Sequence, residues 1–164
     1  MRVLIAGVGN VLRGDDGFGV EALRRLEREV GPGTGVRFFE SGIAGVSLVQ
    51  QLLDGYDALV ILDAFDRGAD PGTVFVVEPE AAGPAESREP IDLHEAGPTA
   101  VLRMATALGV LPSRVWVVGC QPGDCDELGA GLCGPVRLAV PEAVARVYDI
   151  LATLQAAAGD THVV

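Results

Sequence analysis

The chain has 164 residues, 49% of them hydrophobic and only 5% aromatic, and 23 acidic against 12 basic residues give a formal charge of −11 at pH 7. That length suits one domain with one sizeable core, and the acidic balance with few aromatics disfavours a nucleic-acid surface and suits a cation or a basic peptide. No apolar run approaches the roughly 18–20 residues that would span a bilayer.

Residues 1–11 have only Arg2 as a basic lead and are broken by Gly7 and Gly9, so they read as a first strand, about 3–7, and not as a signal peptide. A soluble, cytoplasmic protein is expected. A glycine-rich turn follows and delivers Asp15-Asp16 to a helix predicted over 18–30, with Val20, Leu23 and Leu26 on its inner face. Gly31-Pro32-Gly33 ends that helix. A second strand is predicted over 36–39, then a turn over 41–45 and a helix through Leu48, Leu52 and Leu53, closed by Gly55. The most uniformly apolar strand, 58–62, should lie centrally, and it ends in Asp63. A strand over 72–78 should lie nearer an edge, followed by an Ala, Gly, Pro and Glu loop over 79–90 from which Asp92-Leu93-His94 emerges. A helix is predicted over 98–108 with Leu102, Ala105 and Leu108 inward, then a strand over 115–119. Residues 120–138 read as a long irregular segment, and the closing helix is placed near Pro141, a good first-turn residue. Strands alternating with helices predict an α/β three-layer sandwich, with a mostly parallel, twisted sheet of about five strands and helices on both faces. It is expected to occupy residues 1–158, with a disordered tail over 159–164.

The first turn looks built for a cation. A dinucleotide fingerprint requires Gly-x-Gly-x-x-Gly; Gly7 and Gly9 fit, but Leu12 takes the third position, and Asp15 and Asp16 place negative charge where a pyrophosphate would sit. The plain alternative is that one aspartate caps the following helix, which leaves the other unexplained. In open α/β sheets ligands bind beyond the carboxyl ends of the strands. The Asp15-Asp16 pair and Asp63 both fall there, on strands 1 and 3, which are expected to be neighbours. His94, if it folds over the same crevice, completes an oxygen, oxygen, nitrogen set suited to a borderline divalent ion such as nickel or zinc. The competing readings are a turn-stabilising Asp63 and a surface-loop His94. His162 falls in the tail.

No second histidine follows His94-Glu95-Ala96-Gly97-Pro98 at zincin spacing, and no Gly-x-Ser-x-Gly elbow occurs, so Ser41, Ser47, Ser87 and Ser113 sit in no nucleophile context. Cys120, Cys125 and Cys133 match neither the Cys-x-x-Cys zinc spacing nor a thioredoxin motif. Reduced thiols serving as small loop residues are expected.

The ordered blocks Gly7-Val8-Gly9-Asn10-Val11-Leu12 with Asp15-Asp16-Gly17-Phe18-Gly19, then Ile61-Leu62-Asp63-Ala64, His94, Gly119-Cys120-Gln121-Pro122 and residues 132–144 cover nearly the whole chain. In this order they resemble the maturation endopeptidases of nickel-iron hydrogenases. Two positions differ from the family pattern: Ile43 stands where Thr is more common, and Cys133 where Ser is common. The resemblance implies a peptidase, often classed as aspartic-type, that removes the C-terminal extension of the hydrogenase large-subunit precursor after nickel insertion. The implied metal-contacting residues are Asp16, Asp63 and His94, and these are also the implied catalytic set. The nickel is implied to be supplied by the substrate, and no organic cofactor is expected; composition and run length lead to no nucleic-acid partner and no membrane insertion being expected. Either a carboxylate, Asp16 or Asp63, serves as general base or the ion activates water. A non-cleaving nickel-binding checkpoint or chaperone is the alternative reading of the same site, and a nucleotide-binding module a weaker third.

Overall fold

The structure is a computed structural model, and it describes residues 1–31, 34–42, 45–79, 98–123, 128–129 and 131–159. Five strands, β1 (Val3–Val8), β2 (Val36–Gly42), β3 (Ala58–Ala64), β4 (Val74–Val77) and β5 (Arg114–Cys120), form one sheet in the order β2-β1-β3-β5-β4. Strands β2, β1, β3 and β5 run parallel, while β4 pairs antiparallel with β5 at the edge. The expected sandwich of about five mostly parallel strands is the architecture found. The central β3 is buried along Ala58–Asp63, as its uninterrupted apolar run requires of a strand covered on both faces.

Helices α1 (Phe18–Val30) and α4 (Gly134–Gly159) cover one face, packing Phe18, Leu23, Leu26, Val136, Val144 and Leu154 on Val3, Ile5, Val60 and Leu62. On the other face, α2 (Gly45–Leu52) and α3 (Pro98–Ala107) lay Leu48, Leu52, Val101 and Ala105 against Leu4, Ala6, Leu59 and Ile61. The alternation of these two sets along β1 and β3 is the two-residue period of a strand. Helix α1 has the bounds its periodicity predicts.

Two expectations about helices are corrected, and one alternative reading is removed. The closing helix begins at Gly134, so Pro141 lies inside it, and residues 134–138 are helical instead of irregular. Pro141 withholds one intrahelical N–H, yet the buried stripe Val136, Ala139, Val140, Ala143, Val144 and Val147 runs straight through it. Burial of that many apolar side chains, at about 1.5–3 kcal/mol for each large one, outweighs a proline cost of about 3 kcal/mol. Leu53 and Leu108, placed on inner helical faces by spacing, lie just past the ends of α2 and α3 and are exposed. No side-chain cap precedes α1: its cap position is Gly17, so neither aspartate of the first turn has that role. The loop from residue 80, the tail from residue 160, and His94, Asp92, Cys125, Ile43 and His162 fall outside the described residues.

Candidate active site

Strands β1 and β3 are hydrogen-bonded neighbours, with Gly7 opposite Leu62, so their carboxyl ends open side by side. Chain leaving β1 turns through Gly9, whose φ of 120° suits glycine and whose position lies so close to the Asp16 carbonyl that no Cβ could stand there. It then forms a single 3₁₀ turn, Gly14–Gly17, before α1 starts. The first turn of α1 presses onto the strand ends, where a Cβ on Gly19 would collide with the carbonyl oxygens of Val8 and Leu62. The glycine spacing thus serves to bring a helix onto a sheet so that the turn before it overhangs the strand ends. Gly19→Ala gains up to about 1 kcal/mol of helix propensity but forces backbone apart in a packed interior, which costs about 3 kcal/mol or more. The expected outcome is a melting temperature lower by several degrees in calorimetry; an unchanged value would contradict the close approach.

The two adjacent aspartates have opposite environments. Asp15 is fully buried and accepts hydrogen bonds from the backbone N–H of Cys133 at 2.7 Å on one carboxylate oxygen and of Gly123 at 2.8 Å on the other. It clamps the segment after β5 and the start of α4 to the 3₁₀ turn. Asp16 is half-buried and accepts the Asn10 backbone N–H at 2.9 Å. Asn10 also accepts, through its side-chain oxygen, the Leu12 N–H at 2.9 Å, and its carbonyl takes the Arg13 N–H at 3.0 Å. The turn carrying Asp16 is therefore braced from within.

Asp63 lies inside β3, one residue before its end, instead of beyond it, opposite Gly119 of β5. Its carboxyl is 4% exposed, and burial first, then the negative charge of Asp16, push its pKa up to about 7, with the Ala64 backbone N–H pulling the other way. Two carboxyl groups interact at the carboxyl ends of β1 and β3, and one of them is poised to hold a proton at neutral pH. Perturbed carboxyl groups in a crevice mark candidate sites for chemistry or cation binding. The charge of Asp16 is felt at Asp63. Among the described residues no group of three His, Cys, Asp or Glu side chains is arranged to hold a metal ion.

Two residues beyond the predicted set organise this end of the sheet. Gln121, almost fully buried, accepts the backbone N–H groups of Arg67 at 2.8 Å and Ala69 at 3.2 Å and donates to Asp66 at 2.9 Å, so it ties the loop leaving β3 to the chain leaving β5. Its sequence signal is an amide directly after an apolar strand. Asp15 is the other, and only tertiary contact separates its role from that of Asp16. Cys120 and Cys133 are free thiols: Cys120 is buried within β5, where desolvation followed by Asp15 pushes its pKa to about 12, and Cys133 stands beside Asp15 with its pKa also raised, chiefly by burial. Thiols so shifted stay protonated and are poor nucleophiles. Ser41 is buried against Ser47, the two hydroxyl oxygens 3.4 Å apart.

The family model for hydrogenase maturation protease, HycI, matches residues 20–150 of the chain. The chain belongs to this family. The hydrogenase expression/formation protein HupD of Rhizobium leguminosarum bv. viciae is 35% identical over 150 residues, 92% of this chain and 74% of HupD. Among solved structures, the hydrogenase maturating endopeptidase HybD from E. coli superposes with a TM-score of 0.76 at 29% identity, covering 93% of each chain. The [NiFe] hydrogenase maturation protease HycI from Thermococcus kodakarensis does so with 0.68 at 26%, covering 92% of each. The protein is accordingly a peptidase of hydrogenase maturation. No helix among its described residues is long and apolar enough to cross a membrane.

Proposed function

We propose that this maturation protease removes the C-terminal extension of a nickel-iron hydrogenase large-subunit precursor after nickel insertion, and that Asp16, Asp63 and His94 recognise the nickel already seated in that substrate. The observation that carries the reading is the carboxyl pair: Asp63 is held near neutrality by burial and by Asp16, an arrangement that a divalent cation relieves. A cation brought by the substrate favours the ionised form of both groups, so docking of a loaded precursor displaces the Asp63 proton and gains two oxygen ligands. An imidazole from His94 would complete a set suited to a borderline metal. The substrate's ion then fixes the scissile peptide relative to the carboxylates, and misplacement by about 1 Å costs on the order of a hundredfold in rate. Acting where hydrogenases are assembled, the enzyme works in the cytoplasm with the large-subunit precursor as its partner.

The test is intact-mass spectrometry of nickel-loaded precursor incubated with the purified protein. Loss of a C-terminal peptide is expected from loaded precursor, and no cleavage from precursor lacking nickel. An unchanged mass with loaded precursor would overturn the protease-substrate assignment. Equal cleavage of both forms would overturn nickel licensing and leave the peptidase standing.

A further inference from the structure

Leu12 and Leu128 are large apolar side chains, 66% and 76% exposed. Arg13 and Leu128 form an antiparallel bridge, and the Gly129 N–H donates to the Leu12 carbonyl at 3.0 Å, so the two leucines lie on one short ribbon. Leu128 stands opposite Arg13, the residue that follows Leu12. The ribbon is joined directly to the acidic turn. The Asp16 N–H donates to the Arg13 carbonyl at 3.1 Å, and Asn10 braces both Leu12 and Asp16.

We infer that this leucine-tipped ribbon is a specificity-determining contact of the enzyme, seating in an apolar recess of the hydrogenase precursor beside the scissile segment and setting the depth at which Asp16 reaches it. The inference rests on the substrate reading proposed above. A protruding tip suits a folded macromolecule, since small molecules are taken into concave sites. A second copy of this chain is disfavoured on two counts. Two leucines supply far less than the roughly 1,200 Å² that a stable interface buries, and a charge of −11 on each copy opposes association. The precursor must approach this end of the sheet in any case, because the carboxyl pair is there, and the ribbon extends that contact.

The test compares wild type with Leu12→Ser, Leu128→Ser and the double variant, measuring the Kd for nickel-loaded precursor by surface plasmon resonance and KM and kcat for its cleavage. Leu53→Ser serves as control: Leu53 is 63% exposed but lies at the amino-terminal end of the strands, beside Asp54, whose carbonyl binds Arg2. Each ribbon substitution is expected to raise Kd and KM on the order of tenfold with kcat little changed, superimposable melting curves, and restored affinity in Leu12→Met. Unchanged Kd and KM in the double variant would overturn the inference while wild-type cleavage upheld the substrate reading. A fall in kcat at unchanged KM, or an equal loss in Leu53→Ser, would overturn it as well. Wild type that neither binds nor cleaves loaded precursor would overturn both.

Discussion

Asp63→Asn is expected to yield a protein that is more stable than wild type near neutral pH and does not process precursor. The carboxyl of Asp63 ionises at about 7 in the folded protein against 3.8 in a model peptide, so between those values the folded state binds more protons than the unfolded chain. Stability then falls as pH rises through that window and is flat above it. About three pH units correspond to an upper bound of about 4 kcal/mol at 1.36 kcal/mol per unit. Asn carries no charge and resembles the protonated acid in shape, so the variant should lack this slope and gain about 2–3 kcal/mol at pH 8. Denaturant titrations of both proteins at pH 5 and pH 8 check it: the advantage of the variant should already be present at pH 5 and roughly double by pH 8. Curves that run parallel across the range would show that Asp63 is not the group under strain. A site that costs stability in the free enzyme is a common companion of function.

The neighbouring aspartates should respond to the same chemical change in opposite ways. Asp15→Asn leaves one oxygen where two are needed, and its amide N–H₂ must face either the Gly123 or the Cys133 N–H. A buried donor set against a donor, together with the lost charge-assisted bond, costs about 3 kcal/mol, or a melting temperature lower by about 10 °C for a domain of this size. Asp15→Ala removes both acceptors and should cost more. Asp16→Asn keeps an oxygen that can accept the Asn10 N–H, and Asp16 is only half-buried, so its stability should stay within about 0.5–1 kcal/mol of wild type while processing is lost. Calorimetry alongside the intact-mass assay separates the two. Normal processing by Asp16→Asn would remove it from the site, and an unperturbed melting curve for Asp15→Ala would contradict the clamp.

Much of the arrangement is legible in the sequence because it follows from local rules. Apolar runs separated by helical periodicity dictate alternating strands and helices, and the uniform hydrophobicity of residues 58–62 puts that strand in the middle of the sheet, where it is found. Parallel topology then places residues at strand ends in one crevice, so Asp16 and Asp63 could be paired from position alone. Other features are set by contacts between residues far apart in the chain. Nothing local distinguishes Asp15 from Asp16: the difference arises from the N–H groups of Gly123 and Cys133, more than a hundred residues away. Proline at 141 locally favours a helix start, but the stripe from Val136 onward buries against β1 and β3 only when the helix begins at Gly134. The proton on Asp63 likewise depends on desolvation and on the charge of Asp16, both of which require the folded sheet end. Short-range periodicity therefore determined the elements and the candidate acids, while long-range packing decided which acid is a structural clamp and which carries strained charge, because desolvation and hydrogen bonding depend on neighbours that only the folded chain supplies.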